Sequence, residues 1–147
     1  MMRRFMPLLA LVGLSGFALA DDTSDRANLI GAWQPQDSAS ASWTLQINGE
    51  EMHLTQMQHE QKASDFQCNT VARECDVKDA GEKLKVSMWY NGPKLVVQEI
   101  RGPKVLKYRF HALDRDNLEL EVVPIVPDGK AQLLKFVRRT QSAAANH

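Results

Sequence analysis

Cys68 and Cys75 are the only cysteines among 147 residues, and seven positions separate them. Their spacing is not C-x-x-C, no adjacent basic or aromatic residue marks a redox motif, and two thiols fall short of a structural zinc site. In an oxidising compartment a close isolated pair reads as a disulfide. Closing that short loop is worth roughly 2.5 kcal/mol by chain entropy. A second group is His53, Met57 and His59. If Met52–His59 is a strand, these three side chains share one face, and imidazole plus thioether is a ligand set suited to copper. Histidine and methionine are also ordinary wall and core residues, and no further ligand completes the set. No motif calls for a cofactor.

Nucleophilic and acid–base chemistry find less support. Serine catalysis needs a base and an orienting acid, yet beyond residue 20 there is no G-x-S-x-G elbow, and the histidines are only His53, His59, His111 and His147. Glu50-Glu51 and the pair Asp114 and Asp116 fall in expected turns. Glu119 and Glu121 share the outward face of an expected strand, where acids are ordinary solvated surface. The expectation is a protein that is not an enzyme.

The elements that must position these groups begin with the first twenty residues. Met-Met-Arg-Arg precedes an apolar run from Phe5, and Ala18-Leu19-Ala20 puts small residues at −3 and −1 before Asp21-Asp22. This is the pattern of a secretory signal peptide, residues 1–20. It leaves one domain, residues 21–139, and a small polar tail, 140–147, expected to be flexible. Export across the inner membrane to the periplasm or beyond follows. Removing Arg3 and Arg4 leaves 16 basic residues against 18 acidic ones. A net charge near −2 with scattered lysines does not predict nucleic acid or an anionic membrane as partner. No later apolar run reaches the roughly 20 residues of a membrane span.

Strand signals dominate the rest. Trp43, Leu45 and Ile47 alternate with polar residues up to Asn48-Gly49, a hairpin signal, and Met52–Gln58 returns. Leu84, Val86, Met88 and Tyr90 share a face, as do Leu106, Tyr108 and Phe110, then Leu118, Leu120 and Val122, then Leu134 and Phe136. Gly92-Pro93 and Gly102-Pro103, ten residues apart, punctuate them as turns. Asp21–Ala27 reads as a loose lead-in and His59–Lys78 as a long irregular loop pinned by the cysteines. The fold expected is all-β, a single antiparallel up-and-down barrel of about eight strands, because closure removes exposed edges.

Leu29-Ile30-Gly31-Ala32-Trp33 resembles the G-x-W opening of lipocalins and their fatty-acid-binding relatives. The resemblance implies a lipocalin-like barrel whose first-strand tryptophan, Trp33, plugs one end. It also implies a basic residue of the last strand lying over the indole, here Arg138, which shares a face with Leu134 and Phe136. Such a cation–π contact is worth about 0.5–2 kcal/mol. A small apolar or amphipathic ligand would then occupy the interior against Tyr90, Tyr108 and Phe110, with the cysteine loop near the mouth. Two other readings stand beside it. One is a cell-envelope interaction module with a filled barrel, using Trp89 and the cysteine loop. The other is a periplasmic metal-binding protein using His53, Met57 and His59.

Overall fold

The computed structural model describes residues 19–139 apart from Ser38. The expected signal peptide, but for its last two residues, and the tail 140–147 lie outside the described residues. A ten-residue helix, α1 (Leu19–Asn28), precedes ten strands, where about eight were expected: β1 (Gly31–Pro35), β2 (Ser42–Asn48), β3 (Glu51–Gln58), β4 (Gln61–Asn69), β5 (Cys75–Asp79), β6 (Glu82–Asn91), β7 (Lys94–Arg101), β8 (Lys104–Ala112), β9 (Asn117–Val126) and β10 (Gln132–Arg138). They form one antiparallel sheet in the order β4-β3-β2-β1-β10-β9-β8-β7-β6-β5. Closing between first and last strands, β1 pairs with β10 through Trp33↔Arg138 and Pro35↔Phe136. The two ends of that order, β4 and β5, have no ladder between them, so the barrel is nearly closed with one seam.

The two extra strands lie inside the segment expected to be an irregular loop. Apolar alternation is thin there: of the inward positions of β4, Ser64, Phe66 and Cys68, only the last two are buried. The β3–β4 turn is also disguised, because His59 and Glu60 take positive φ (51° and 62°) without glycine. That backbone suits a tight hairpin, but these residue types do not announce it. The expected loose lead-in is instead α1. It is mostly polar and has no sustained apolar stripe to betray it. Tertiary contacts hold it: Arg26 Nε donates to Gly92 O (2.8 Å) and its guanidinium lies 4.6 Å from the Tyr90 ring centroid.

Strand direction separates two ends. The turns at 49–50, 92–93 and 113–116, the cysteine segment 70–74, α1 and Arg138 gather at one. The 36–41 connection and the turns at 59–60, 80–81, 102–103 and 127–131 gather at the other. Inward residues between them pack into one core of Leu45, Met52, Leu54, Phe66, Val86, Met88, Leu95, Val97, Phe110, Leu120 and Phe136, each at most 1% exposed. Ile47, sharing their strand face, is 56% exposed because β2 runs past the core at the α1 end. The middle of the barrel is filled with side chains. Among the described residues no helix is long and apolar enough to cross a membrane.

Candidate functional site

The α1 end is sealed. Trp33 is fully buried and its indole N–H donates to Leu29 O at 2.9 Å, so the polar edge of the ring is satisfied inside the plug. Arg138 lies over the ring, its guanidinium carbon 4.3 Å from the centroid. It also donates to the carbonyls of Asn28 (2.6 Å), Ile30 (2.7 Å) and Arg115. Asn28 is the last residue of α1, where orphan carbonyls and the helix dipole favour a cation. Gly31 has φ +138°, and a Cβ there would strike Arg138 Nη1. The glycine of G-x-W is therefore the space through which the arginine reaches the tryptophan.

The disulfide Cys68–Cys75 joins β4 to β5 across the seam, Cα to Cα 5.8 Å. It stands at the sealed end, not near an open mouth as the loop reading expected, because β4 finishes and β5 starts there. Beyond it Val71 makes an isolated bridge to Trp89, and Ala72 N donates to Met88 O (2.8 Å). The cysteine segment thus folds against β6 beside Trp89, which is half-buried and has Lys107 Nζ 5.8 Å from its ring centroid.

The opposite end, called the open end below, is less fully covered and unevenly lined. Trp43 on β2 meets Tyr108 and Phe110 on β8 edge to face across the interior, at 5.5 and 5.2 Å between centroids. These rings form a floor. Phe110 is sealed beneath it, whereas Tyr108, Val122 and Leu134 stay half-buried, with Leu106 and Pro124 nearer the rim. Tyr90 shares the inward parity but lies at the sealed end under Arg26. The structure therefore brings Tyr108 and Phe110 together and sets Tyr90 apart from them.

Beside that apolar wall is a cluster of charges which the apolar alternation did not single out. Arg101 donates to Glu82 (2.6 Å), Asp79 (2.9 Å) and Glu99 (3.0 Å). Ser64 Oγ donates to Asp79 (3.2 Å) across the seam, and the Tyr108 hydroxyl donates to Glu99 (3.3 Å). Asp79 and Glu99 are only 8% and 7% exposed. Burial opposes the charge on Arg101, but its bonds to Glu82, Asp79 and Glu99 outweigh that and raise its pKa. Burial first, then the Glu99 charge, pushes the Tyr108 phenol well above its usual range. The signal was present in the sequence. Glu99 and Arg101 continue the parity of Leu95 and Val97, and Asp79 that of Cys75 and Val77, so charges on an inward face could be read directly.

His53, Met57 and His59 are placed on or beside the outer wall. His53 pairs with Asp65, which also accepts from Lys62 (3.0 Å). His59 is in the β3–β4 turn, past the end of the strand. Met57 and His59 line an outer groove of about 560 Å³ with Gln34, Ser42, Thr44 and Arg139, and His53 is not part of it. Among the described residues no three His, Cys, Asp or Glu side chains cluster as metal ligands.

A nearly closed, antiparallel up-and-down barrel, plugged at one end by a tryptophan under an arginine, is a calycin-like barrel. In particular, it is similar to solved structures of fatty-acid-binding and secretory abundant heat soluble proteins. A Schistosoma mansoni fatty acid binding protein in complex with arachidonic acid superposes with a TM-score of 0.63 at 13% identity, over 79% of this chain and 99% of that one. Secretory abundant heat soluble protein 4 from Ramazzottius varieornatus gives 0.62 at 12% identity, over 77% and 96%. Apo lipid binding protein 8 from Caenorhabditis elegans gives 0.61 at 9% identity, over 77% and 96%. No protein-family profile matches the sequence, and no curated protein matches it in sequence.

Proposed function

We propose that this is an exported, non-enzymatic binding protein that takes a small amphiphile in the open end of its barrel. The observation that carries the reading is the asymmetry of the inward faces. One end is closed by Leu29, Trp33 and Arg138, while the other leaves Leu106, Tyr108, Val122, Pro124 and Leu134 incompletely covered above an aromatic floor. Apolar walls with a few convergent polar groups are the usual makings of a small-molecule site. The likeness to barrels that bind lipids supports the same reading. Because the centre is packed, the ligand lies on Tyr108 and Trp43 rather than within the core. Of the three residues expected to touch it, Tyr108 is the contact. Phe110 supports it from below, and Tyr90 belongs to the other end. Export is supported by the basic-then-apolar start, by Ala18 and Ala20, and by the disulfide, which an oxidising compartment preserves.

Titration with the neutral dye Nile red tests the site. Saturable one-to-one binding is expected, lost in Leu106→Gln at the open end and retained in Ile47→Gln at the sealed end. Equal loss in both variants, or uptake that never saturates, overturns the reading.

A further inference from the structure

We propose that Asn48 is a site of spontaneous deamidation, and that helix α1 shields the identical dipeptide at Asn91 from the same reaction. Asn-Gly occurs twice in the chain, as Asn48-Gly49 and Asn91-Gly92. The chemistry is intramolecular. The backbone nitrogen of the glycine attacks the side-chain carbonyl carbon of the asparagine, so one C–N bond forms while the side-chain amide C–N bond breaks. The amide nitrogen leaves as ammonia, carrying the proton lost from the glycine nitrogen, and a five-membered succinimide remains. Water then opens the ring at either carbonyl, which gives aspartate or isoaspartate with no oxidant, reductant or enzyme. Glycine in the second position favours the step, because no Cβ obstructs the attacking nitrogen.

The two sites have the same local backbone. Each asparagine is the last residue of a strand and is paired across a two-residue turn, Asn48↔Glu51 and Asn91↔Lys94. Each glycine opens its turn at positive φ, 65° and 60°, and the next residue, Glu50 or Pro93, does not share it, the pattern of a type II′ hairpin. Neither glycine N–H donates to a backbone carbonyl among the described residues.

What differs is the cover. Attack requires the Asn-Gly peptide to rotate out of the turn geometry, so each site reacts only as often as its turn opens. Asn48, Gly49 and Glu50 are all exposed, and beyond its chain neighbours no atom lies within 4 Å of where a Gly49 Cβ would stand. At the other site α1 lies on the turn. Arg26 Nε donates to Gly92 O at 2.8 Å, and the same guanidinium lies over Tyr90, the residue before Asn91. Asp22 Oδ2 is 4.0 Å from the place of a Gly92 Cβ. Rotating that peptide must first pull Gly92 away from Arg26.

Incubating the folded protein at mildly alkaline pH, with peptide mapping by mass spectrometry, tests the assignment. Asn48 is expected to convert about tenfold faster than Asn91, the worth of one hydrogen bond from a charged donor. Arg26→Ala should bring Asn91 close to the rate of Asn48, and an unchanged rate at Asn48 in the same sample shows that the variant is still folded. Arg26→Lys, which keeps a cationic donor, should retain part of the protection. In urea beyond the denaturation midpoint the two sites should react alike. A difference that persists there overturns the proposal, since Glu50 and Pro93 would then be setting the rates. So do equal rates in the folded protein, no conversion at Asn48, or an Asn91 rate that Arg26→Ala leaves unchanged.

Discussion

The two ends of this barrel each hold one inward arginine and one tyrosine, and they use them in opposite ways. At the sealed end Arg138 meets no carboxylate among the described residues. Its donors go to three backbone carbonyls and its face to Trp33, so a charge is neutralised by dipoles and a π system. That arrangement fills space and finishes a helix. At the open end Arg101 is surrounded by carboxylates, with half-covered apolar side chains beside it. The comparison teaches that a guanidinium on an inward face is not in itself a binding group. What partners it decides the matter: backbone carbonyls and an indole at one end, three carboxylates at the other.

The largest expected effect separates the ends by stability. Trp33→Ala should cost about 3–5 kcal/mol, as for other large buried aromatics, whereas Tyr108→Leu should cost about 1 kcal/mol because the ring is half-covered and loses one hydrogen bond. Denaturant midpoints measure both, and comparable losses would erase the distinction between plug and mouth. Next comes the seam. Replacing Cys68 and Cys75 together by Ser should lower stability by roughly 2.5 kcal/mol, and the unreduced wild-type protein should titrate no free thiol when unfolded. Two reactive thiols, or an unchanged midpoint in the double variant, would mean that the seam is held by packing alone.

The smallest effect sharpens the comparison most directly, because the chain has two tyrosines, one at each end. Burial raises the Tyr90 phenol while the Arg26 charge works against it; burial and then Glu99 raise that of Tyr108 further. A folded-state value above the unfolded one means that each tyrosine's stabilising contribution is complete below about pH 10 and is lost as pH rises through the folded value. Phenolate absorbance should therefore show Tyr90 ionising before Tyr108, both above the usual range. Arg26→Ala should move Tyr90 upward and leave Tyr108 in place. A single transition at the ordinary tyrosine value would show both phenols to be solvated.

Much of the ladder was legible because its signals are local. Gly92-Pro93 and Gly102-Pro103 bound β7, and the alternation of Leu84 to Tyr90 and of Leu106 to Phe110 sets which faces turn inward. Cysteine spacing announced the disulfide. What escaped depends on long-range partners. Helix α1 is held by Arg26 on Gly92, sixty-six residues away, and its sequence is mostly polar. Strands β4 and β5 are edges with few apolar residues, behind a turn built from His59 and Glu60. The Arg101 cluster escaped for a different reason: Asp79, Glu82, Glu99 and Arg101 come from three strands, and it is their mutual bonds that hold charge on an inward face. Copper ligation by His53, Met57 and His59 was a reading of residue types, and the partner that His53 finds, Asp65, comes from the unforeseen strand β4.

The single seam has a consequence for how the chain may be cut and rejoined. Because β1 and β10 are paired neighbours, with Arg139 N donating to Ala32 O at 2.8 Å, the first and last strands already sit side by side. The break in the ring of hydrogen bonds lies elsewhere, at residues 70–74. A circular permutant that joins the old ends and opens there would keep all nine ladders, at the expense of the contacts that Val71, Ala72 and Glu74 make with β6. The crosslink between Cys68 and Cys75 would then tie the new termini together, so that a linear chain would behave as a covalent ring.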